Sequence, residues 1–230
     1  DQPSEKRSDK LKGTQGYHPG KEVPSEEALK AAAEVINKGN KIGILAGCGA
    51  LSAKKEVEEL AELIGAPVTK ALLGKGVIPD DSPYSTGGIG HLGTIPSKDW
   101  MEECEVLIIL GSNMPYLSYY PADAKAVQVD HNSKRIGLRY PATLGLVGDV
   151  GATLKALIPK LNKKKDHSFL KKYQKAMEDW RALLKQVEEG ESELVRPQYL
   201  VAEVGRLLKD DALVSIDTGA HTVFTARHWE

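Results

Sequence analysis

The chain has 230 residues, 41% of them hydrophobic, enough to bury the core of one large domain with pieces attached. Its 31 lysines and arginines nearly balance 32 acidic residues, so no net field draws it to nucleic acid or to an anionic membrane. Its apolar runs are only five to seven residues long, which excludes a helical membrane span.

Residues 1–24 are polar, aperiodic and scattered with Gly, Pro and Lys, and read as a linker or extended lead-in. They match neither a signal nor a transit peptide, and with Asp1 in place of a Met the chain is expected to begin inside a longer protein. Ser25 then offers a cap, and Glu26 and Glu27 suit the first turn of a helix that runs to a stop at Gly39. Residues 41–46 form a short apolar strand, followed by the glycine turn 47–50 and an amphipathic helix over 56–64 that ends at Gly65. A strand is expected at 67–71. Residues 74–93 carry six glycines in twenty positions and read as a long loop.

A short helix over 96–103 leads to the run Val106–Leu110, then to strands at 126–129 and 144–147 and a helix over 150–161. Short apolar strands alternating with helices predict an α/β fold: a doubly wound, mainly parallel, Rossmann-like sheet with helices on both faces. Residues 25–161 form the central domain of this reading. Residues 162–195 read as a linker helix, with an apolar stripe from Leu170 to Val187 beginning after a lysine-rich hinge. Residues 196–230 read as helix, strand (212–216) and helix, an incomplete α/β segment expected to start a second domain.

Ligands of such sheets bind beyond the carboxyl ends of the strands, and Gly47, Gly49, Gly111 and Gly148 all fall there. The turn from Gly47 through Cys48 and Gly49 has two glycines of a dinucleotide fingerprint, but Ser52 stands where the third belongs. No acid follows the next strand, so a NAD site is disfavoured, although bare backbone N–H groups at a helix start still suit a phosphate. Gly90, His91, Leu92 and Gly93 make either a ligand loop or an ordinary turn. Asp130 and Asp149 each end a strand, where a carboxylate either accepts hydroxyl hydrogen bonds or caps the next turn.

The six histidines show no ligand spacing with the cysteines, and neither a nucleophile elbow nor a P-loop occurs. Cys48 and Cys104 read as buried free thiols of a cytoplasmic protein.

The order of these pieces resembles the middle domain of thiamine-diphosphate enzymes of the pyruvate oxidase, quinone-dependent pyruvate dehydrogenase and acetolactate synthase group. The likeness is carried by residues 41–52, 70–76, 90–94, 101–116, 127–130 and 136–157, and it extends to Asp217-Thr218-Gly219. The stretch 110–116 is most similar to the oxidase branch.

The resemblance implies an extended FAD across the strand ends. Gly47, Cys48 and Gly49 would hold its nucleotide half, and Ala71, Leu72 and Leu73 would line the next strand end. Gly90, His91, Leu92 and Gly93 would approach the flavin, as would Gly111, Ser112, Asn113, Met114 and Pro115. Asp130 would take hydroxyls beside His131 and Asn132, and Gly148 and Asp149 would close the nucleotide end. The parent is expected to be a homo-oligomer without a membrane span, open to peripheral membrane contact through regions outside this chain, that decarboxylates pyruvate with thiamine diphosphate and magnesium, then passes electrons through FAD to quinone or oxygen. The activating glutamate and the Gly-Asp-Gly motif with its downstream Asn are not found in this chain, so the piece alone is expected to be inactive, and no catalytic or metal-ligating residue is assigned. A non-oxidative 2-oxo-acid decarboxylase or acetolactate-type synthase, and a stand-alone nucleotide-binding module, are the alternatives.

Overall fold

The computed structural model describes residues 20–190, 193–209 and 211–229. Most of the expected lead-in therefore lies outside the described residues. The first helix, α1 (Glu26–Lys38), starts where Ser25 Oγ accepts from the Ala28 N–H at 3.3 Å, and Glu26 and Glu27 sit at its positive end. β1 (Ile42–Ala46) follows it, and the chain then turns through 47–53 into α2 (Lys54–Ile64). Gly65, at φ +61°, ends α2 and leads to β2 (Val68–Lys70).

Residues 74–93 are not wholly loop: β3 (Ser85–Gly88) lies among them and pairs parallel with β2 at the sheet edge. Its two glycines are tolerated because an edge strand packs on one neighbour only. Next come α3 (Ile95–Glu103), capped by Thr94, then β4 (Val106–Leu110), β5 (Lys125–Asp130), β6 (Leu144–Val147) and α4 (Val150–Leu157). The helix expected over 150–161 gives way at Ile158 to a tighter turn, where Pro159 lacks the N–H that an α-helix needs.

Among the described residues the strands form one parallel sheet in the order β3-β2-β1-β4-β5-β6. Alternation along the strands divides the core. Ile42, Ile44, Val106, Ile108, Val127 and Val129 face one way, against α1, α2 and α4. Leu45, Leu107, Ile109 and Ala126 face the other, against Trp100 and Met101 of α3 and Phe169 and Tyr173 of α5 (Ser168–Glu189). Each of the valine, leucine, isoleucine, methionine and phenylalanine side chains removed from water contributes roughly 1.5–3 kcal/mol. Trp100 lies over Gly43, where a Cβ would collide with its ring, and its indole N–H donates to Thr86 Oγ1 at 2.8 Å. That bond ties α3 to the edge strand, so the interior stays close-packed where β1 carries no side chain.

After α5 the chain forms α6 (Pro197–Leu207) and α7 (Ala220–His228). The strand expected at 212–216 is absent: the backbone there pairs with no strand, and Leu213, Val214 and Ile216 are exposed. A β-strand needs a neighbour for its N–H and C=O groups, and none of the described strands reaches this segment. Cys48 is also exposed rather than buried, because it sits on the turn beyond β1 and not in the strand itself; Cys104 is buried as expected, and both thiols are free.

Candidate functional site

The sheet order reverses between β1 and β4, and the loops leaving these two strands meet there. The Gly47 N–H donates to Leu110 O at 2.9 Å, the Gly49 N–H to Gly111 O at 3.0 Å, and the Gly111 N–H to Val129 O at 2.8 Å. On the other side, the Ala71 N–H donates to Ala46 O at 2.9 Å and the Ile89 N–H to Lys70 O at 3.1 Å. The carboxyl ends of the strands are thus stitched into one rim. Gly111, at φ +55°, and Gly49 touch backbone to backbone, a contact that leaves no room for a Cβ on either.

A cleft of about 330 Å³ opens along this rim. Of the residues singled out in the sequence, Gly47, Cys48, Ala71, Leu72, Leu73, His91, Leu92, Ser112, Asn113, Met114 and Pro115 line it. Gly49 and Gly111 form the backbone contact at the switch point. Gly90 (φ +97°) lets Tyr116 come close, and the Gly93 N–H closes the turn on Gly90 O at 2.9 Å.

Ile89, Tyr116 and Arg135 also line the cleft and were not singled out. Tyr116 adjoins the noted run 111–115 and was within reach of sequence reasoning. Arg135 has no sequence signal; a turn after β5 brings it in. The His91 ring lies 4.6 Å from that of Tyr116 and 5.8 Å from that of Tyr119, which makes an aromatic mouth. Arg139 Nε donates to Asn113 Oδ1 at 3.0 Å and steadies the outer loop. Burial of Tyr120, whose hydroxyl donates to Met114 O at 3.2 Å, pushes its pKa up to about 12, so it stays a neutral donor.

The remaining candidates lie past the cleft. Asp130 ends β5 and is almost fully buried; Oδ1 accepts from the Asn132 N–H at 2.9 Å, while Oδ2 has no partner among the described residues. Ser112 Oγ is likewise buried and without a partner there. His131 is exposed, and Asn132 caps the turn that follows. The Gly148 N–H donates to Asp130 O at 3.0 Å. Asp149 accepts from the Ala152 N–H at 2.9 Å as the cap of α4 and pairs with Lys21 at 3.3 Å.

Among the described residues lining the cleft there is no carboxylate, and Arg135 is the one formal cation. No group of three His, Cys, Asp or Glu residues is placed to hold a metal ion among the described residues. The arrangement suits a bound ligand: a mainly apolar trough with an aromatic mouth, the bare backbone of Gly47 and the buried Ser112 Oγ, unpartnered among the described residues, in its lining, and the buried Asp130 Oδ2 past its end. No described helix is long and apolar enough to cross a membrane.

Comparison with known proteins agrees with this architecture. A Bacillus subtilis (strain 168) protein, YdaP, whose provisional name describes it as thiamine pyrophosphate-containing, is 39% identical over 93% of this chain and 37% of its own length. The acetolactate synthase large subunit of Buchnera aphidicola subsp. Schizaphis graminum (strain Sg) is 27% identical over 88% of this chain and 37% of its own. The pyruvate oxidase of Lactiplantibacillus plantarum (strain ATCC BAA-793 / NCIMB 8826 / WCFS1) is 22% identical over 89% of this chain and 34% of its own. The chain thus spans little more than a third of the length of these relatives. The family model described as "Thiamine pyrophosphate enzyme, central domain" matches residues 29–157, more than half of the chain, and the chain accordingly belongs to the thiamine pyrophosphate enzymes.

Proposed function

We propose that the cleft at the β1/β4 switch point holds FAD and that the protein serves a pyruvate oxidase-like, thiamine-diphosphate-dependent enzyme. The observation that carries this reading is the pairing of the Gly47 backbone in the cleft wall with the buried oxygens of Ser112 in the cleft and Asp130 past it, both partnerless among the described residues. Polar atoms buried without partners are costly, and a ligand rich in hydroxyls and phosphate oxygens offsets that cost. When bound, FAD would supply electron-transfer chemistry, and thiamine diphosphate, held mostly outside this chain, would supply the electron sink for decarboxylation.

The residues of this chain bind and orient. Gly47 offers bare backbone to a phosphate-bearing chain at the cleft wall, Gly49 and Gly111 fix the strand ends beside it, and Asp130 Oδ2 accepts from a hydroxyl. The apolar wall of Leu72, Leu92 and Met114 excludes water, and the His91–Tyr116 pair gives a planar ring a surface to stack on. Arg135 supplies the positive charge that a diphosphate needs.

In this proposal residues 25–161 are the middle domain, 162–195 a linker helix and 196–230 the start of the diphosphate-binding domain. Thiamine diphosphate and magnesium are held mostly outside this chain, which is therefore inactive alone. The complete enzyme is a cytoplasmic homo-oligomer acting on pyruvate and passing electrons to quinone or oxygen. The acetolactate synthase relative keeps a second reading in view, a non-oxidative enzyme with the same middle domain. The first test is the visible absorption of the purified chain after incubation with FAD and desalting, with retained flavin expected. A cleft that retains no flavin while the folded chain stays intact would remove the FAD assignment. For the full-length protein, acetate with dye reduction supports the oxidase, and acetolactate or an aldehyde the second reading.

A further inference from the structure

Behind the cleft, on the far side of the loops that carry Leu72 and Leu92, lies a second and much smaller hollow of about 60 Å³. Its charge is lopsided. Lys70, Lys75, Arg181 and Arg227 line it against Asp80, the one carboxylate among its described lining residues. Lys70 is almost fully buried and ion-pairs with Asp80 Oδ1, Lys75 pairs with Asp80 Oδ2, and Arg181 donates to the Asp80 carbonyl at 2.6 Å. Lys70 also donates to Ile78 O at 3.0 Å, so one of its three N–H groups is left over. Arg227 donates through Nη2 to His91 O at 3.2 Å, while its buried Nε has no partner among the described residues.

Like charges gathered around a single carboxylate at low dielectric repel one another, and an anion among them relieves the repulsion. Guanidinium N–H groups favour tetrahedral oxyanions because their donor fork matches two oxygens at once. The hollow is too small for a nucleotide and is walled by Trp180 and Trp229. We propose that this hollow is a binding site for a small inorganic oxyanion of phosphate or sulfate size, held by Lys70, Lys75 and Arg227. Leu72, Ile89 and Leu92 border both hollows, so an anion seated here braces the loops that form the cleft.

The probe is inorganic phosphate added to the full 230-residue chain at constant ionic strength, with chloride as the control. A saturable rise in Tm of about 5 °C is expected at a hundredfold excess over Kd, with none from chloride. Arg227→Gln should weaken phosphate binding at least tenfold while the chain stays folded, as judged by circular dichroism. Asp80→Asn removes the competing carboxylate, and the variant should be less stable in chloride and recover in phosphate. No saturable phosphate effect, or one that Arg227→Gln leaves unchanged, overturns the site. If Asp80→Asn is destabilised and phosphate does not rescue it, the cluster serves the fold alone and the proposal fails.

Discussion

Gly49 and Gly111 meet backbone to backbone at the point where the sheet order reverses. The Gly49 N–H donates to Gly111 O at 3.0 Å, and a Cβ on Gly111 would fall 2.5 Å from the Gly49 Cα. The two strand ends therefore close on each other without side chains, beside the cleft that Gly47, Cys48 and Ser112 line. Gly111→Ala adds a Cβ both to a left-handed backbone and to a filled space. Left-handed strain costs about 1–2 kcal/mol and overpacking about 1–3 kcal/mol, so a loss of roughly 2–5 kcal/mol is expected by urea unfolding. Gly49→Ala lacks the strain and should cost less. Equal losses at the two positions would mean that the positive φ of Gly111 is not under constraint.

The two thiols should separate cleanly by reactivity. Cys48 is exposed and lines the cleft, whereas burial pushes the Cys104 thiol up to about 12. An aromatic disulfide reagent at pH 8 should titrate one thiol in the native chain and two in denaturant. FAD in the cleft should slow the native reaction several-fold. Modification of Cys48 at the same rate with and without retained flavin would place the flavin elsewhere.

Much of this fold was legible because its strands are buried on both faces. Val106–Leu110 reads as a continuous apolar run for that reason, and α1 announces itself through the Ser25 cap. The two strands misread, one overlooked and one expected in vain, share one cause, that a strand is made by its neighbour. Ser85–Gly88 is a strand without an apolar run, held by β2 and by Thr86, whose Oγ1 donates to Val68 O at 3.2 Å. Residues 212–216 are the converse, apolar enough for a strand but without a partner. At the site, the glycine-rich turns after strands lie along the rim, while Arg135 reaches the cleft only through the fold of its turn. Asp149 was weighed as ligand or cap, and its carboxylate caps α4.

Asp130 offers a test that separates binding from folding. Its Oδ1 accepts from the Asn132 N–H, and its Oδ2 is buried without a partner among the described residues. Asp130→Asn keeps an oxygen for Asn132 and removes the carboxylate that would accept from a ligand hydroxyl. If Asp130 serves the ligand, flavin affinity should fall at least tenfold, about 1.4 kcal/mol, with Tm changed by no more than a few degrees. A matching loss of stability with unchanged flavin affinity would assign Asp130 to the turn alone.

The Asp80 cluster should set part of the acid limit of stability. Burial opposes the charge on Asp80, yet Lys75 and Lys70 beside it hold its carboxyl below the ordinary value. The folded chain therefore gives up this proton more readily than the unfolded chain, whose aspartates titrate near about 3.9. Stability from Asp80 is fully present above that value and is lost as pH falls through the lower folded value. Lys70 acts at the other end: burial outweighs its pairing with Asp80 and lowers its pKa, so its contribution rises with pH toward the unfolded lysine value of about 10.4. Glu56 and Glu103 are also held low, by a backbone hydrogen bond and by Lys172 respectively, so the absolute acid slope belongs to several groups. The difference between wild type and Asp80→Asn isolates one of them. Urea midpoints taken from about pH 6 down to about pH 2.5 should converge for the two proteins as acid protonates Asp80 in the wild type. A constant gap across that range would mean that Asp80 titrates alike in the folded and unfolded chains, and that its ion pairs contribute nothing that pH can remove.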